Sequence, residues 1–377
     1  MMDFSFSEDQ ETIGKIARQL FEHRATPEHL LDLESGDIRH DPALWQELAS
    51  ADLLGVALPE SVGGTGGGFL ELGVLLAEVG RCVAPVPVYA TLLLGADTIA
   101  RHGDPAVQQH YLPGVVDGSR ILSAAIAEPG SIDPLTPSTT ARRDGDSWLL
   151  DGTKTLVPAA QLAEAIVVTA TPQDDDGGPA LFVVDTADPG VRTEPVQTTN
   201  GEPFADVELR GARAAHRLTA GENPVESLHT RALIGLCAMQ VGVTERALRI
   251  AASYTSEREQ FGRPIGSFQA VQQRMADAFI DTEAIRWTTW HAAWLVSKDR
   301  SAHREAAMAK FWAAEAGARV TATAQQVHGG IGIDITYPLS RYFLWAKQIE
   351  LTLGSASHQL ARLGSTYRAG GNREGHQ

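Results

Sequence analysis

The stretch from Tyr254 to Gln273 carries residue types that could bind a ligand containing both phosphate and flat rings. Within it, Arg258, Gln260 and Phe261 lie close together in the chain. A guanidinium stays charged and can form two parallel hydrogen bonds to phosphate, and an aromatic ring offers a face for stacking. The alternative is a helix hairpin whose charged turn residues are only solvated, because such residues are common in turns.

Two long helical patterns flank this stretch. Apolar residues recur at helical spacing, without proline, in residues 228–253 and again in 271–296. Gly262, Pro264 and Gly266 interrupt the pattern between them, and both residue types end helices. The sequence therefore predicts a tight turn that joins two helices and presents the three candidate ligand-binding residues.

The same stretch resembles the "SERxxFGxPIxxFQ" segment of the acyl-CoA dehydrogenase family, a segment that here includes Gln269. The resemblance covers nearly the whole chain. It implies an α+β fold of the acyl-CoA dehydrogenase type, with a middle antiparallel β-barrel or sandwich domain between an N-terminal helical domain and a C-terminal four-helix-bundle domain. The predicted boundaries are 1–122, 123–223 and 224–368, followed by a disordered tail over 369–377.

Hydrophobic periodicity predicts the same order of elements. Residues before 122 follow helical spacing. From about 121 to 223 the pattern changes to short β-branched runs, such as 121–126 and 180–184, separated by turns rich in Asp, Gly and Pro. Short strands at regular spacing are typical of a small antiparallel barrel or sandwich.

Composition narrows the class of protein. The 377 residues are 43% hydrophobic and 21% charged, as in soluble globular proteins. A net charge of −16 argues against a nucleic-acid surface, and no uncharged run reaches the roughly 20 residues that span a bilayer. Cys82 and Cys237 are expected to be buried thiols. With an acidic, polar N-terminus that is unlike a signal peptide, these features predict a cytoplasmic protein.

The resemblance implies FAD, bound between the β-domain, the C-terminal helices and a neighbouring subunit. Residues 127–131 resemble the "TEPxxGSD" loop, where Ala127 replaces the threonine that bonds the flavin ring and Ser131 is the expected substrate contact. Residues 154–160 resemble "KxWITNG", with Pro158 in place of the threonine beside the flavin. Neither replacement has a hydroxyl, so the contacts to this chain's own flavin ring are expected to be weakened.

The residues offered to a neighbour's FAD match the family better. The stretch that begins at Gln326 resembles "QxxGGxG" at a helix end, where Gly329 and Gly330 would let backbone N–H groups approach the pyrophosphate. Arg258 and Phe261 match the segment that reaches the neighbouring subunit. The two halves of the predicted cofactor site therefore differ in how well their side chains match the family.

The family reaction removes a proton from Cα of an acyl-CoA thioester and passes a hydride from Cβ to flavin, which requires a carboxylate base. The usual base lies in a "YEGT" loop. Counting forward without gaps places Leu353 at the glutamate and Ser355, a predicted cofactor contact, at the threonine. Some members carry the base on an earlier helix, where this chain has Thr230 and then Arg231. No residue at either position can act as a base.

Glu350 is the weak candidate for a substitute base. It precedes Leu353 by three residues, and residues at that spacing share one face of a helix. More often such a carboxylate is solvated or paired. Arg231 is expected to support the loop or the substrate side, or else to form a structural salt bridge.

These observations leave several functions open. We favour the non-catalytic, FAD-contacting subunit of a heteromeric acyl-CoA dehydrogenase, with a glutamate-bearing paralogue as partner, because this explains both the missing base and the altered flavin contacts. Such a subunit would act in lipid or steroid catabolism by β-oxidation and pass electrons to an acceptor flavoprotein. The alternatives are a self-sufficient homotetramer, built as a dimer of dimers and using Glu350, a flavin-dependent monooxygenase of the same fold, and a scaffold without flavin.

Overall fold

A computed structural model describes residues 5–36, 38–131, 133, 135–173, 178–221 and 223–371. Within these residues, contacts divide the chain into two compact units. Unit 1 draws on residues 1–20, 33–75 and 85–232, and unit 2 on residues 21–32, 76–84 and 233–377. The order of elements is helical, then β, then helical, which confirms the predicted fold class.

The N-terminal part is helical and its helices begin where the sequence supplies caps. Asp41 accepts hydrogen bonds from the N–H groups of Ala43 and Leu44, both at 3.0 Å, and a proline follows it. Asp104 caps the N–H of Val107 at 2.9 Å in the same way. Side-chain caps of this kind satisfy N–H groups that the helix leaves free. The helices are α1 (Glu8–Arg24), α2 (Pro27–Glu34), α3 (Pro42–Ser50), α4 (Phe69–Cys82), α5 (Thr98–His102) and α6 (Pro105–Val116), with a π-helix at Tyr89–Asp97 before α5.

The β-domain is a sheet that closes on itself. Its strands are β1 (Leu122–Ala125), β2 (Thr140–Asp144), β3 (Ser147–Pro158), β4 (Ala165–Pro172), β5 (Ala180–Asp185), β6 (Val191–Val196) and β7 (Phe204–Leu218). Neighbours follow the order β1-β4-β2-β3-β7-β5, β5 also pairs with β4, and β6 pairs with β7. Buried apolar side chains such as Leu150, Ile166 and Phe182 form its core.

The sheet is not wholly antiparallel, so that detail of the prediction was wrong. Both β1 and β2 run parallel to β4, in registers that include Leu122 opposite Ala165 and Thr140 opposite Thr171. β1 and β2 pair with successive parts of the same edge of β4. β3 runs antiparallel to β2, and the chain turns once more before β4, so β4 has the same direction as β1 and β2. The described residues between 126 and 139 leave this edge as a loop.

The C-terminal part of the chain forms long helices. After α7 (Pro224–Glu257), a short hairpin of β8 (Glu259–Gln260) and β9 (Arg263–Pro264) leads into α8 (Gln269–Ser297), α9 (His303–His328), α10 (Leu339–Leu351) and α11 (Ala356–Gly371). Helix α9 packs against α8, α10 and α11. Helix α11 reaches Gly371, into the segment predicted to be disordered, and residues 372–377 of that segment lie outside the described residues.

Glycines allow the closest approach of helices in unit 2. A Cβ on Gly242 of α7 would stand 1.8 Å from the carbonyl oxygen of Ala77 in α4, and one on Gly80 would stand 2.0 Å from that of Met239. Any larger residue at either position would therefore push these helices apart. None of the described helices combines the length and apolar character that crossing a membrane requires.

Candidate functional site

The β8–β9 hairpin presents an aromatic ring and a cation to solvent. Its tip is formed by Phe261 and Gly262, with φ of 54° and 78°, the left-handed pair that tight hairpins require. Phe261 is 93% exposed, which is rare for phenylalanine. The backbone of Arg258 is fixed by hydrogen bonds to Tyr254 and Ile265, both 2.8 Å long. The Arg258 guanidinium is exposed and has no hydrogen-bond or ion-pair partner among the described residues.

The two glutamines of this segment are exposed as well. Gln260 donates from Nε2 to the carbonyl of Glu259 at 2.9 Å, so its side chain is held along the hairpin. Gln269 is the first residue of α8 and is exposed. Both amides can still accept or donate further hydrogen bonds to a ligand.

The glycines after α9 leave open space beside the backbone. Gly329 has φ of 66°, and a Cβ on either Gly329 or Gly330 would meet no atom within 4 Å. Gln326, in the last turn of α9, is exposed. A ligand could therefore approach this backbone closely.

His328 holds the glycine turn to the helix before the hairpin. Its Nδ1 lies 2.7 Å from the carbonyl of Ala324, its Nε2 lies 3.1 Å from the hydroxyl of Tyr337, and its ring stacks on Tyr254 with centroids 4.2 Å apart. Burial lowers the pKa of His328, so the ring is neutral at pH 7. The hairpin and the glycine turn are thus brought together in unit 2, and His328 acts as a structural link.

These residues of unit 2 suit one part of a dinucleotide cofactor. An unpaired guanidinium matches a phosphate, an exposed ring matches a flat ring system, and open glycine backbone matches a close pyrophosphate. The fit rests on an Arg258 guanidinium that has no partner among the described residues and on a Phe261 ring that contacts Phe268 but stays 93% exposed.

The turn at the expected base position contains no carboxylate. Leu353 lies between α10 and α11, is buried, and has φ of 54°. Ser355 is occupied locally, with its Oγ 3.1 Å from Ser357 Oγ and 3.0 Å from His358 Nδ1. Glu350 Oε2 lies 2.5 Å from Lys347 Nζ. Glu350 is therefore paired with Lys347, and its use as a substitute base stays a prediction.

The alternative base position in unit 1 holds two buried side chains and no carboxylate. Thr230 and Arg231 are buried near the start of α7. Arg231 Nη1 lies 3.0 Å and 3.3 Å from the two carboxylate oxygens of Asp97, and its Cζ lies 4.7 Å from the centroid of the Phe69 ring. Of the two roles left open for Arg231, the structure shows the salt bridge.

The loop that carries Ala127 and Ser131 is a tight turn. The N–H and C=O groups of Glu128 and Ser131 bond to each other at 3.0 Å, and Gly130 has φ of 75°. The Ala127 carbonyl accepts a hydrogen bond from the N–H of Thr155 at 3.0 Å. The two flavin motifs of the β-domain are therefore joined through their backbones, although the Ala127 side chain offers no hydrogen bond.

A buried ion pair, which motif spacing alone does not reveal, supports this loop. Lys154 Nζ lies 2.7 Å from Glu128 Oε1 and 2.8 Å from Thr169 Oγ1. The Glu128 carboxylate also accepts hydrogen bonds from Ser138 and Thr139. Glu128 and Lys154 belong to the two motifs that resemble the family's flavin-binding segments, but their contact is visible only in the tertiary structure.

The pKa values of this pair keep both groups charged at pH 7. Burial alone raises the pKa of the Glu128 carboxyl, but hydrogen bonds from Lys154, Ser138 and Thr139 outweigh it and bring the pKa to about 2. Burial lowers the pKa of Lys154 to about 8 despite the bond to Glu128.

Pro158 ends β3 in an irregular segment. Its carbonyl accepts a hydrogen bond from Ser123 Oγ at 2.5 Å, and the next residue, Ala159, has φ of 53°. Leu156, with φ of 52°, donates its N–H to Asp206. The backbone of the second flavin motif is thus well held, while Pro158 supplies neither a hydroxyl nor an N–H. Among the described residues, no group of His, Cys, Asp and Glu is arranged to hold a metal ion.

Family models and similar proteins identify the family of this chain. The models described as the N-terminal, middle and C-terminal domains of acyl-CoA dehydrogenase match residues 7–119, 123–211 and 211–366. Acyl-CoA dehydrogenase FadE27 of Mycobacterium tuberculosis is 40% identical over 372 residues, which cover 96% of this chain and 98% of that protein.

Two similar solved structures contain two kinds of chain by their names. One is a variant of the Tcur3481–Tcur3483 steroid ACAD, at 45% identity and a TM-score of 0.92 over 97% of this chain and 99% of the other. The other is the ChsE4–ChsE5 complex from Mycobacterium tuberculosis, at 40% identity and a TM-score of 0.92 with the same coverage. With all three domains matched, the chain belongs to the acyl-CoA dehydrogenase family.

Proposed function

We propose that this chain is the non-catalytic, FAD-contacting subunit of a heteromeric acyl-CoA dehydrogenase that performs α,β-dehydrogenation of an acyl-CoA thioester. One observation carries the proposal. The turn between α10 and α11, which we match to the family's base loop by counting along the sequence, holds Leu353, and leucine cannot take a proton. The partner chain must then supply the carboxylate.

The residues of unit 2 suit the partner's cofactor. Arg258 would pair with a phosphate of FAD, Phe261 would cover a ring, and Gly329 and Gly330 would admit the pyrophosphate. When bound, FAD supplies the acceptor for the hydride. Residues of this chain bind and orient; none of those at the base positions moves a proton.

The FAD contacts in unit 1 of this chain fit less well. Ala127 and Pro158 stand where hydroxyl groups would bond the flavin ring, and neither side chain can donate or accept a hydrogen bond. FAD is therefore expected mainly at the interface with the partner, held by groups such as Arg258.

The names of similar proteins suggest the substrate and the assembly. A steroid ACAD and a two-chain complex are among the similar structures. We infer a CoA thioester linked to a steroid as substrate, a glutamate-bearing paralogue as partner in a dimer of dimers, and an electron-acceptor flavoprotein. The two cysteines are buried free thiols, which is compatible with a reducing, cytoplasmic compartment.

The test compares this chain alone with the chain co-expressed with a glutamate-bearing paralogue. Each preparation is examined for its flavin spectrum and for anaerobic bleaching by a panel of acyl-CoA esters. We expect bleaching only in the assembly. Stoichiometric flavin that bleaches in the chain alone would show a self-sufficient enzyme and overturn the proposal.

A further inference from the structure

A buried lysine and a buried glutamine hold the backbone of the turn that contains Leu353. Lys310 projects from α9 and donates from Nζ to the carbonyl of Glu350 at 3.1 Å and to that of Gly354 at 2.9 Å. Gln359, near the start of α11, donates from Nε2 to the carbonyl of Leu353 at 3.0 Å. We call Lys310 and Gln359 the turn cradle.

Both side chains of the cradle are inside the protein. Lys310 is 0% exposed and Gln359 is 1% exposed. Among the described residues, no carboxylate lies within ion-pair distance of Lys310 Nζ, and the nearby Glu350 carboxylate is bound to Lys347. Carbonyls at the C-terminal end of α10 carry partial negative charge and lack partners within the helix. The Glu350 carbonyl is such a group, and the Gly354 carbonyl lies in the turn that follows α10. Together they take the place of a counter-ion for Lys310.

The turn needs such support because its backbone is unfavourable. Leu353 has φ of 54° and Gly354 has φ of 99°. Glycine tolerates this region, but leucine does so only when its surroundings impose it. A buried ammonium is itself costly to desolvate. A methionine at 310 would avoid that cost but could not bond the carbonyls.

We propose that Lys310 and Gln359 are positioning residues, which hold position 353 in a pre-formed backbone conformation independently of the side chain that position 353 carries. The inference rests on the proposed function in one respect, the correspondence of this turn with the family's base loop. It explains why a turn without a base keeps an unfavourable conformation. The side chain at 353 has no carboxylate, while Lys310 and Gln359 still hold the backbone at that position.

The experiment measures site-resolved amide hydrogen exchange in the full-length chain. The reporters are the N–H groups of Thr352 and Gly354, compared with amides in the middle of α8. Lys310→Met should speed exchange in the turn at least tenfold relative to α8. The ratio of turn to helix is used because a uniform loss of stability does not change it.

Three further variants distinguish support by the turn cradle from other causes of faster exchange in the turn. Lys347→Met is the matched control, since Lys347 bonds the Glu350 side chain and not the turn. This variant should leave the ratio of turn exchange to α8 exchange within twofold of the wild-type ratio. Leu353→Ala removes side-chain packing and should change the ratio less than threefold. If Lys310→Met fails to fold, Gln359→Leu removes the second donor and should still raise the ratio several-fold.

Two results would overturn the proposal. One is an unchanged turn-to-helix ratio in Lys310→Met, or in Gln359→Leu where the first variant does not fold. The other is a larger effect of Leu353→Ala than of the cradle variants, which would mean that side-chain burial holds the turn. Exchange in this chain needs neither flavin nor a partner, so failure here is distinguishable from failure of the proposed function.

Discussion

The predicted flavin motifs of the β-domain and the hairpin of the C-terminal helices differ in which part of a binding site they provide. In the β-domain, Lys154 and Glu128 hold the motif backbone from inside, but Ala127 and Pro158 carry no hydroxyl at the positions where we predict a flavin ring. In unit 2, the Arg258 guanidinium is exposed and has no partner among the described residues, so it remains available to a ligand. The difference teaches that the backbone support of a predicted site and the side chains able to contact a ligand can occur independently of each other.

The largest effect should come from breaking the scaffold of the β-domain. Lys154→Met leaves the Glu128 carboxylate buried without its cation, and removing one partner of a buried pair costs about 3–5 kcal/mol. Urea unfolding should show this loss. The double variant Lys154→Met/Glu128→Gln should recover part of it, and equal stability of wild type and Lys154→Met would contradict the structural role of the pair.

Acid should expose the same dependence. The folded pKa of Glu128 is about 2 against a usual 4.5, so the stabilisation is complete above pH 4.5 and is lost as the pH falls towards 2. The shift corresponds to about 3 kcal/mol. Stability of Glu128→Gln should fall less over that range than stability of the wild type. If the unfolding free energies of wild type and Glu128→Gln changed in parallel with pH, the pKa of Glu128 would not be lowered in the folded protein.

A smaller effect is expected from removing the exposed cation of the hairpin in unit 2. Arg258→Ala should leave the stability of the chain within about 0.5 kcal/mol, because the side chain is exposed. FAD retention by the assembly should fall about tenfold, as expected for loss of a charge-assisted hydrogen bond. Arg263→Ala on the same hairpin is the control, since its guanidinium stacks on Phe268. Unchanged FAD content in Arg258→Ala would contradict the proposal that Arg258 binds a phosphate of FAD.

The smallest effect should come from returning a hydroxyl to the β-domain. Ala127→Thr restores one hydrogen bond, worth about 1 kcal/mol, so FAD should bind up to about fivefold more tightly. Ala127→Val, which has a similar shape without the hydroxyl, is the control. Equal FAD affinity in the two variants would mean that the hydroxyl is not what this half of the site lacks.

Much of the fold was predictable because local pattern and turn chemistry agreed with the tertiary structure. The helical spacing on either side of Gly262, the β-branched runs after 121, and the turn at Gly262 itself all correspond to elements in the structure. The parallel pairing of β1 and β2 with β4 was not predictable, because two strands separated by residues 126–139 have no local signal that places them on one edge.

The sequence by itself determined the order of elements, the absence of a carboxylate at positions 353 and 230, and the loss of hydroxyls at 127 and 158. These are properties of single residues at countable positions. Only the tertiary structure decided that Glu128 meets Lys154, that Arg231 meets Asp97, and that Lys310 reaches the turn after α10. Each of these contacts joins residues far apart in the chain, and long-range contacts follow from packing, which periodicity and motif spacing do not specify.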